Sequence, residues 1–333
     1  MIPTARPPIR LDRNTTPFLN ESAILRALRA MTPWDFAMYP EPGAPALTRA
    51  IADRVRFPVD RILLGNGSDE ILDLAMRALV PRGGSIGVIE PSFGMYDHFA
   101  RACGVDVRRV PARDTLPVDA LAALRADAYF VPSPNNPTGA AFPRAAFEGL
   151  LDRVDAPVVI DEAYAEFARQ DLRSLAAGNE RAIVTRTFSK AYGVPGIRVG
   201  YALGPPDLLD PMRRIRMPYN LSAWSERAAL AALEDGAFVD RAVAFVTTER
   251  ARLTDAIGER GWPVWPSRAN FVFVGPLRRG AEVHDALRDR GVLVKLVDWP
   301  GGAEGRSLRI TIGTRDQDDA LLRALEEVSA WRA

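Results

Sequence analysis

One lysine in this chain is surrounded by residue types suited to covalent chemistry on an aldehyde. Lys190 lies in the segment T-F-S-K-A-Y-G-V-P-G-I-R, and Arg198 follows it eight positions later. A lysine is costly to bury, so one that follows an apolar run is a candidate amine nucleophile. The planar cation of Arg198 suits two oxygens of a phosphate. The segment therefore combines an amine with an anion-binding group.

Two upstream segments contain the other groups that such a site needs. They are D-E-A-Y, from Asp161 to Tyr164, and S-P-N-N-P-T-G, which includes Asn136. The Asp161 carboxylate could keep a pyridine nitrogen protonated, which makes the ring an electron sink. Tyr164 and Asn136 could donate hydrogen bonds to a ring oxygen. Together with Lys190, these residues are the parts that hold pyridoxal phosphate as a Schiff base, so we predict that cofactor.

Each of these residues also has an ordinary explanation when it is taken alone. Lys190 could be a solvated surface lysine, Asp161 a turn cap, Tyr164 a packing residue, and N-P-T-G a turn. The prediction rests on their joint order and spacing.

Further cofactor contacts are expected where other apolar runs end. The run at 62–64 leads into G-N-G-S-D-E and an amphipathic helix at 69–79, with Ser68 as the expected N-cap. The start of such a helix can bind phosphate through its backbone N–H groups. The additional candidates are Gly67, Ser68, Asp69, Thr187 and Ser189, with Phe93 stacking on the cofactor.

The strands and helices that must position these residues alternate along the middle of the chain. We predict buried parallel strands at 62–64, 85–89, 128–131, 157–160, 182–187 and 199–203. Regular alternation of strands and helices indicates an α/β fold with a doubly wound, mainly parallel sheet. Ligands in such sheets bind at the carboxyl ends of the strands, where the candidates fall.

A smaller α+β unit is predicted around this large one. Its expected elements are helices at 225–234 and 239–259 and strands at 271–274, 293–296 and 308–312. The Pro-rich N-terminal arm has one predicted helix, at 21–30, and should pack with this unit. We therefore assign residues 40–222 to the large cofactor-binding domain, and residues 1–39 and 223–333 to the small domain.

The composition argues against several other classes of protein. Lys plus Arg (43) nearly balance Asp plus Glu (42), which is not the footprint of a nucleic-acid or membrane-surface protein. Cys103 is the only cysteine and cannot form an intrachain disulfide. Two histidines and one cysteine predict no zinc site. Without an apolar run of signal-peptide or membrane-span length, we expect a soluble cytoplasmic protein.

The motifs resemble those of fold-type I pyridoxal-phosphate aminotransferases, and specifically the histidinol-phosphate aminotransferase family. The likeness covers nearly the whole chain and includes M-Y-P-E-P-G, I-L-L-G-N-G-S-D-E, E-P-S-F-G-M-Y, S-P-N-N-P-T-G, V-V-I-D-E-A-Y, S-K-A-Y-G-V-P-G-I-R and L-R-I-T-I-G-T.

This resemblance implies a role for each matching residue. Lys190 would be the Schiff-base lysine and proton shuttle, assisted by Asp161 and Tyr164. Tyr39 would reach the neighbouring subunit's cofactor, which implies a homodimer with shared active sites. Arg309 would bind the anionic group of the substrate. The implied reaction passes an amino group from a small donor to a keto acid, 2-oxoglutarate, in a ping-pong cycle.

The chain departs from the family pattern at the substrate end. R-N-T-T-P places Thr16 where the family has a larger side chain, and Lys295 stands where a second anion-binding arginine is expected. Lysine and arginine are not equivalent at a bidentate site. Asn136 also counts as a substrate contact. Three alternatives stay open: an aminotransferase for another amino acid, such as an aromatic or specialised-metabolism one, a phosphothreonine decarboxylase, and a non-catalytic binding module.

Overall fold

The computed structural model describes residues 7–298 and 305–331. The strands are β1 (Ile9–Leu11), β2 (Ile62–Asn66), β3 (Ser85–Glu90), β4 (Asp106–Pro111), β5 (Ala128–Pro132), β6 (Val158–Asp161), β7 (Ala182–Thr187), β8 (Val199–Leu203), β9 (Val264–Trp265), β10 (Phe271–Leu277), β11 (Val292–Asp298) and β12 (Arg306–Thr311).

The helices lie between and after these strands. They are α1 (Glu21–Ala30), α2 (Trp34–Ala37), α3 (Pro45–Val55), α4 (Gly67–Leu79), α5 (Met95–Cys103), α6 (Val118–Ala123), α7 (Arg144–Arg153), α8 (Ala165–Ala168), α9 (Arg173–Gly178), α10 (Pro206–Ile215), α11 (Ala223–Glu234), α12 (Gly236–Glu259), α13 (Gly280–Asp289) and α14 (Arg315–Glu327). Every strand and helix predicted above is present, with ends within three residues of the prediction.

The large sheet has the order β2-β8-β7-β6-β5-β3-β4. Its strands β3 to β7 pair in parallel, so the predicted α/β fold with a mainly parallel sheet is confirmed. Helices α4, α5 and α10 cover one face through a cluster of buried apolar side chains. The other face packs against a second cluster, to which α7, α9, α11 and α12 contribute. Covering on both faces explains why the central strands read as continuous apolar runs.

The prediction of a parallel strand at 199–203 is wrong in its direction. Strand β8 is antiparallel to both of its neighbours, β7 and β2. Only residues 188–198 connect β7 to β8, and they contain no α-helix. A parallel connection needs a crossover of about a dozen residues or more, usually a helix. The chain therefore turns back, and this turn contains Lys190.

The small sheet has the order β1-β11-β12-β10-β9. Strand β1, which was not predicted, pairs in parallel with β11 and so joins the N-terminal arm to the C-terminal part of the chain. Strand β4 was also missed, because it is an edge strand with mostly exposed polar side chains and no apolar run. The domain limits at residues 39/40 and 222/223 stay a prediction.

Helix α4 begins two residues earlier than the capping pattern suggested. Its N-cap is Asn66, so the prediction that Ser68 is the N-cap is wrong, while Asp69 and Glu70 do lie in the first turn. The Glu70 carboxylate accepts a hydrogen bond from the Asn66 backbone N–H, which secures the start of the helix without a capping hydroxyl. The Ser68 hydroxyl is thereby left to face a cavity.

Candidate active site

A cavity of about 510 Å³ lies at the carboxyl ends of the central strands. Its floor comes from the last residues of β5, β6 and β7, which are Pro132, Asp161 and Thr187. Residues of the N-terminal arm and of β12 close it from the other side. The predicted site residues that line it are Ser68, Asp69, Phe93, Asn136, Asp161, Tyr164, Thr187, Ser189, Lys190, Arg198 and Arg309.

Lys190 projects from the turn between β7 and β8. Its Nζ lies 5.6 Å from the centroid of the Tyr164 ring, and it donates a hydrogen bond of 3.5 Å to the backbone oxygen of Arg13. The Thr16 hydroxyl donates to the backbone oxygen of Lys190 and ties the arm to this turn. The amine is thus held at the cavity wall beside a phenol, with no carboxylate bonded to it among the described residues.

Asp161 lies at the bottom of the cavity and is only 5% exposed. One carboxylate oxygen accepts from the Tyr96 hydroxyl at 3.2 Å, and the other accepts from the backbone N–H of Ala163 at 3.1 Å and from the Thr185 hydroxyl at 3.3 Å. Burial raises the pKa of Asp161 to about 6, against these hydrogen bonds, which lower it. A cationic ring nitrogen beside it would favour the ionised carboxylate.

A cup for an anion forms where the start of α4 meets the turn after β7. Arg198 donates from Nη1 to the Ser189 hydroxyl at 3.5 Å and from Nη2 to Asp69 at 3.0 Å. The Thr187 hydroxyl lies 3.0 Å from that of Ser189. Hydroxyls, a guanidinium and the N–H groups of a helix start are the donors that a phosphate requires.

Two glycines allow this cup to close. Gly67 has a φ of +78°, and a Cβ there would lie 2.5 Å from Nη2 of Arg198. Gly200 on β8 lies so close to α4 that a Cβ would stand 2.4 Å from the backbone nitrogen of Ser68. Side chains at either position would push the cup apart, so Gly67 contributes through its lack of a side chain.

Arg309 reaches the cavity from β12. It donates from Nη1 to the Asn136 side-chain oxygen at 2.6 Å and from Nη2 to the backbone oxygen of Asp12 at 2.8 Å. Burial lowers the pKa of the guanidinium from its ordinary value. Its buried Nε has no hydrogen-bond partner within residues 7–298 and 305–331. A half-buried cation with a spare donor is suited to an anionic ligand group.

Comparison with known proteins identifies the family. The family described as aminotransferase class I and II matches residues 6–325. This chain belongs to that family. It is therefore an aminotransferase, and the predicted fold type and enzyme class are confirmed.

Several relatives of this aminotransferase carry one name. Histidinol-phosphate aminotransferase from Erythrobacter litoralis is 38% identical over 96% of this chain and 90% of the relative. The protein of that name from Roseiflexus castenholzii is 36% identical over 96% and 90% of the two chains. A solved histidinol-phosphate aminotransferase from Sinorhizobium meliloti, in complex with pyridoxal-5'-phosphate, superposes with a TM-score of 0.88 at 27% identity, covering 97% and 91%. The resemblance inferred from the motifs is confirmed.

Four predicted site residues of the aminotransferase lie outside the cavity lining, and one of them, Gly67, belongs to the anion cup described above. Tyr39 is 82% exposed and stacks on Tyr219, with the ring centroids 4.8 Å apart. The Thr16 hydroxyl donates to the backbone oxygen of Lys190. Lys295 lies on β11 directly opposite Arg309 in the antiparallel register, so both side chains project from the same face of the small sheet.

Sequence reasoning missed two residues that support the site. Tyr96 bonds Asp161, and its signal was the spacing of three positions after Phe93 in E-P-S-F-G-M-Y. Asn14, in R-N-T-T-P, donates to the Tyr164 hydroxyl at 2.9 Å. No spacing rule links Asn14 to Tyr164, because they are 150 positions apart.

Proposed function

We propose that this aminotransferase binds pyridoxal phosphate and transfers the amino group of histidinol phosphate to 2-oxoglutarate. The observation that carries the proposal is the convergence of Lys190, Asp161, the anion cup and Arg309 on one cavity. The name shared by relatives at 32–38% identity supports this choice of donor. These relatives favour neither the decarboxylase nor another amino donor.

The cavity has a suitable group for each part of the cofactor. The cup of Ser68, Thr187, Ser189 and Arg198 would hold the phosphate, and Asp161 would face the pyridine nitrogen. When bound, pyridoxal phosphate supplies an aldehyde that condenses with amines and a ring that accepts electrons. In the same cavity, Phe93 would stack on the ring, and Asn136 and Tyr164 would donate hydrogen bonds to the ring oxygen.

Lys190 would move the proton in this reaction. Its Nζ is the amine at the cavity wall, and it would accept the proton from Cα of the bound donor. If the same Nζ also lies within reach of the aldehyde carbon of the cofactor, it can deliver the proton there. The turn between β7 and β8 is tied to the arm through Thr16, which keeps the amine in position.

The substrate end has two cations on one face. Arg309 offers its spare Nε to an anion, and the exposed Lys295 stands beside it on β11. Lys190 and Lys295 are the only lysines in the sequence, and every other basic side chain of the Lys and Arg types is an arginine. A phosphate carries enough charge for both cations, with Arg309 donating to it from Nε and Lys295 acting as a point charge.

A donor panel tests the proposal. With purified protein, pyridoxal phosphate and 2-oxoglutarate, we expect kcat/KM for histidinol phosphate to exceed that for histidinol by about 10²-fold or more, since the phosphate's charge-assisted hydrogen bonds are lost with histidinol. Glutamate formation is the measurement. Equal use of the two donors, preference for an aromatic amino acid, or release of carbon dioxide from phosphothreonine without a keto acid would contradict the choice of donor.

A Lys295→Met variant serves as the matched control on the substrate end. We expect it to lower kcat/KM for histidinol phosphate by about two- to fivefold, because one exposed charge contact is lost, and to leave histidinol unaffected. The visible absorbance of the bound cofactor should stay as in the wild type. A loss with both donors would mean that Lys295 acts on the fold and not on the phosphate.

We further propose that the protein is a homodimer with shared active sites. The segment at 34–39 and residues 217–219 expose a joined set of large apolar side chains, since Tyr39 stacks on Tyr219. An apolar surface of this kind marks an interface. The exposed side chains are Trp34, Phe36, Met38, Tyr39, Met217 and Tyr219.

Mixing two inactive variants tests this arrangement. If Tyr39 serves the partner's site, a hybrid of Lys190→Ala and Tyr39→Ala chains has one intact site, and random pairing restores about a quarter of wild-type activity. Sedimentation should give twice the chain mass of 36.5 kDa. Activity equal to the mean of the two variants alone would exclude shared sites.

The location of the protein stays a proposal of its own. None of the helices in residues 7–298 and 305–331 has the length and apolar character that a membrane crossing requires. We propose a cytoplasmic location on the basis of the single Cys103, which fits a reducing compartment. Fractionation of cells that make the tagged chain would test it.

A further inference from the structure

Asn14 is a buried polar residue whose hydrogen bonds reach the active site. It lies in the arm after β1, is 2% exposed and has a φ of +53°. That backbone conformation is uncommon outside glycine, although asparagine tolerates it better than most residues. A buried polar side chain in a left-handed conformation is costly, so the contacts that hold it there are informative.

The contacts of Asn14 fix the orientation of its side-chain amide. Its backbone N–H donates to the Thr311 hydroxyl at 2.9 Å, and that hydroxyl donates in turn to Oδ1 of Asn14 at 3.1 Å. Asn270 donates from Nδ2 to the Asn14 backbone oxygen at 3.0 Å. The Thr311 hydroxyl accepts from the Asn14 backbone N–H and donates its one proton to Oδ1, so Nδ2 is the atom that faces Tyr164.

This orientation constrains the phenol of Tyr164. Nδ2 of Asn14 donates to the Tyr164 oxygen at 2.9 Å, and an amide nitrogen has no lone pair that could accept in return. The phenolic proton must therefore point elsewhere. Tyr164 lines the cavity, so its proton is available to a group bound there. An accepted hydrogen bond also polarises the O–H group and makes it a stronger donor.

We propose that Asn14 is a positioning residue that holds Tyr164 with its phenolic proton directed at the ring oxygen of the bound cofactor. This inference rests on the proposed function. Asn14 itself does not donate to the cofactor in this arrangement. Its effect passes through Tyr164, and it links the arm, β12 and the segment before β10 to the donor that serves the ring oxygen.

An Asn14→Gly variant tests the proposal with little disturbance of the backbone. Glycine adopts a φ of +53° without strain and keeps the backbone bonds to Thr311 and Asn270, so only the amide is removed. A hydrogen bond to the deprotonated ring oxygen stabilises that form. We therefore expect the midpoint of the pH titration of the bound cofactor's visible absorbance to rise by about half a unit to one unit.

A second variant, Asn14→Asp, reverses the direction of the hydrogen bond. A carboxylate can only accept, so it draws the phenolic proton of Tyr164 away from the cavity. The upward shift of the midpoint should be at least as large as in Asn14→Gly. In a Tyr164→Phe background, neither change at position 14 should shift the midpoint further, because the proposed coupling runs through the phenol.

Asn20 provides the matched control in the same arm. It is also buried, and it donates from Nδ2 to the backbone oxygen of Tyr192, away from Tyr164. Asn20→Asp should lower the melting temperature and leave the absorbance midpoint at the wild-type value. If Asn20→Asp and Asn14→Asp shift the midpoint equally, or if Asn14→Gly titrates as the wild type, the positioning role is wrong.

Failure of the proposed function gives a different result. A wild-type protein that acquires no visible absorbance on addition of pyridoxal phosphate would overturn the cofactor assignment itself. A wild-type protein that binds and titrates, with Asn14 variants that match it, would overturn only the role of Asn14.

Discussion

Replacement of Lys190 by alanine is expected to lower kcat for transamination by about 10³-fold or more. The variant lacks both the amine that condenses with the cofactor and the base that moves the Cα proton, and base catalysis alone is worth 10²- to 10⁴-fold. The anion cup is unchanged, so affinity for pyridoxal phosphate should fall far less than kcat. Single-turnover absorbance changes with histidinol phosphate measure the proton-transfer step directly.

The small number of lysines allows a sharp control for this experiment. Borohydride reduction of the wild-type protein with pyridoxal phosphate should fix the cofactor to Lys190 and not to Lys295, the other lysine of the chain. Peptide mass mapping identifies the labelled position. Lys295→Met should keep the label, and Lys190→Ala should lose it. Labelling of Lys295 in the wild type, or full activity of Lys190→Ala, would refute the assigned role.

Replacement of Asp161 by asparagine is expected to lower kcat by about 10²-fold or more. The amide keeps the shape of the side chain and can keep its bonds to Ala163 and Thr185, but it removes the charge that would stabilise a protonated ring nitrogen. Loss of one preorganised electrostatic contact to developing charge typically costs this much. The measurement is steady-state kcat with histidinol phosphate, with a melting curve to show that the fold persists.

The affinity for pyridoxal phosphate is expected to depend on pH through Asp161, and the same variant tests this. Burial raises the pKa of Asp161 to about 6 in the protein alone, so the carboxyl takes up a proton as the pH falls through that value. Ring binding needs the carboxylate, so protonation opposes it. We expect affinity for pyridoxal phosphate to weaken below pH 6 by up to about tenfold per unit. Asp161→Asn should lack this component, and identical pH profiles would contradict it.

Much of the fold could be predicted because its signals are local. The apolar runs that became β5, β6 and β7 are buried on both faces, so their sequences carry the pattern of a parallel strand. Parallel strands end at one edge of their sheet. Once those three runs are assigned as parallel strands, Asp161, Thr187 and Lys190 are predicted to lie at the same edge of the sheet.

Edge strands and capping details were less predictable. Strand β4 is polar because solvent covers it, and β8 reverses because its connection is short. Ser68 has the right chemistry for an N-cap, yet the bond from Asn66 to Glu70 starts the helix earlier. In each case two local structures, such as two helix starts or two strand directions, differ by a few contacts, and packing decides which one forms.

The sequence by itself determined the main functional groups, which are the amine, the carboxylate and the anion cup. Each of them directly follows a locally encoded strand or begins a helix. Only the tertiary structure decided which residues support them. Asn14 meets Tyr164 and Thr311, and Arg309 meets Asn136, across separations of 150 to 297 positions. Such contacts depend on how the arm and the small sheet pack against the large one. Lys190 therefore reveals the reaction from its own surroundings, whereas the partners of Tyr164 emerge only once the chain has folded.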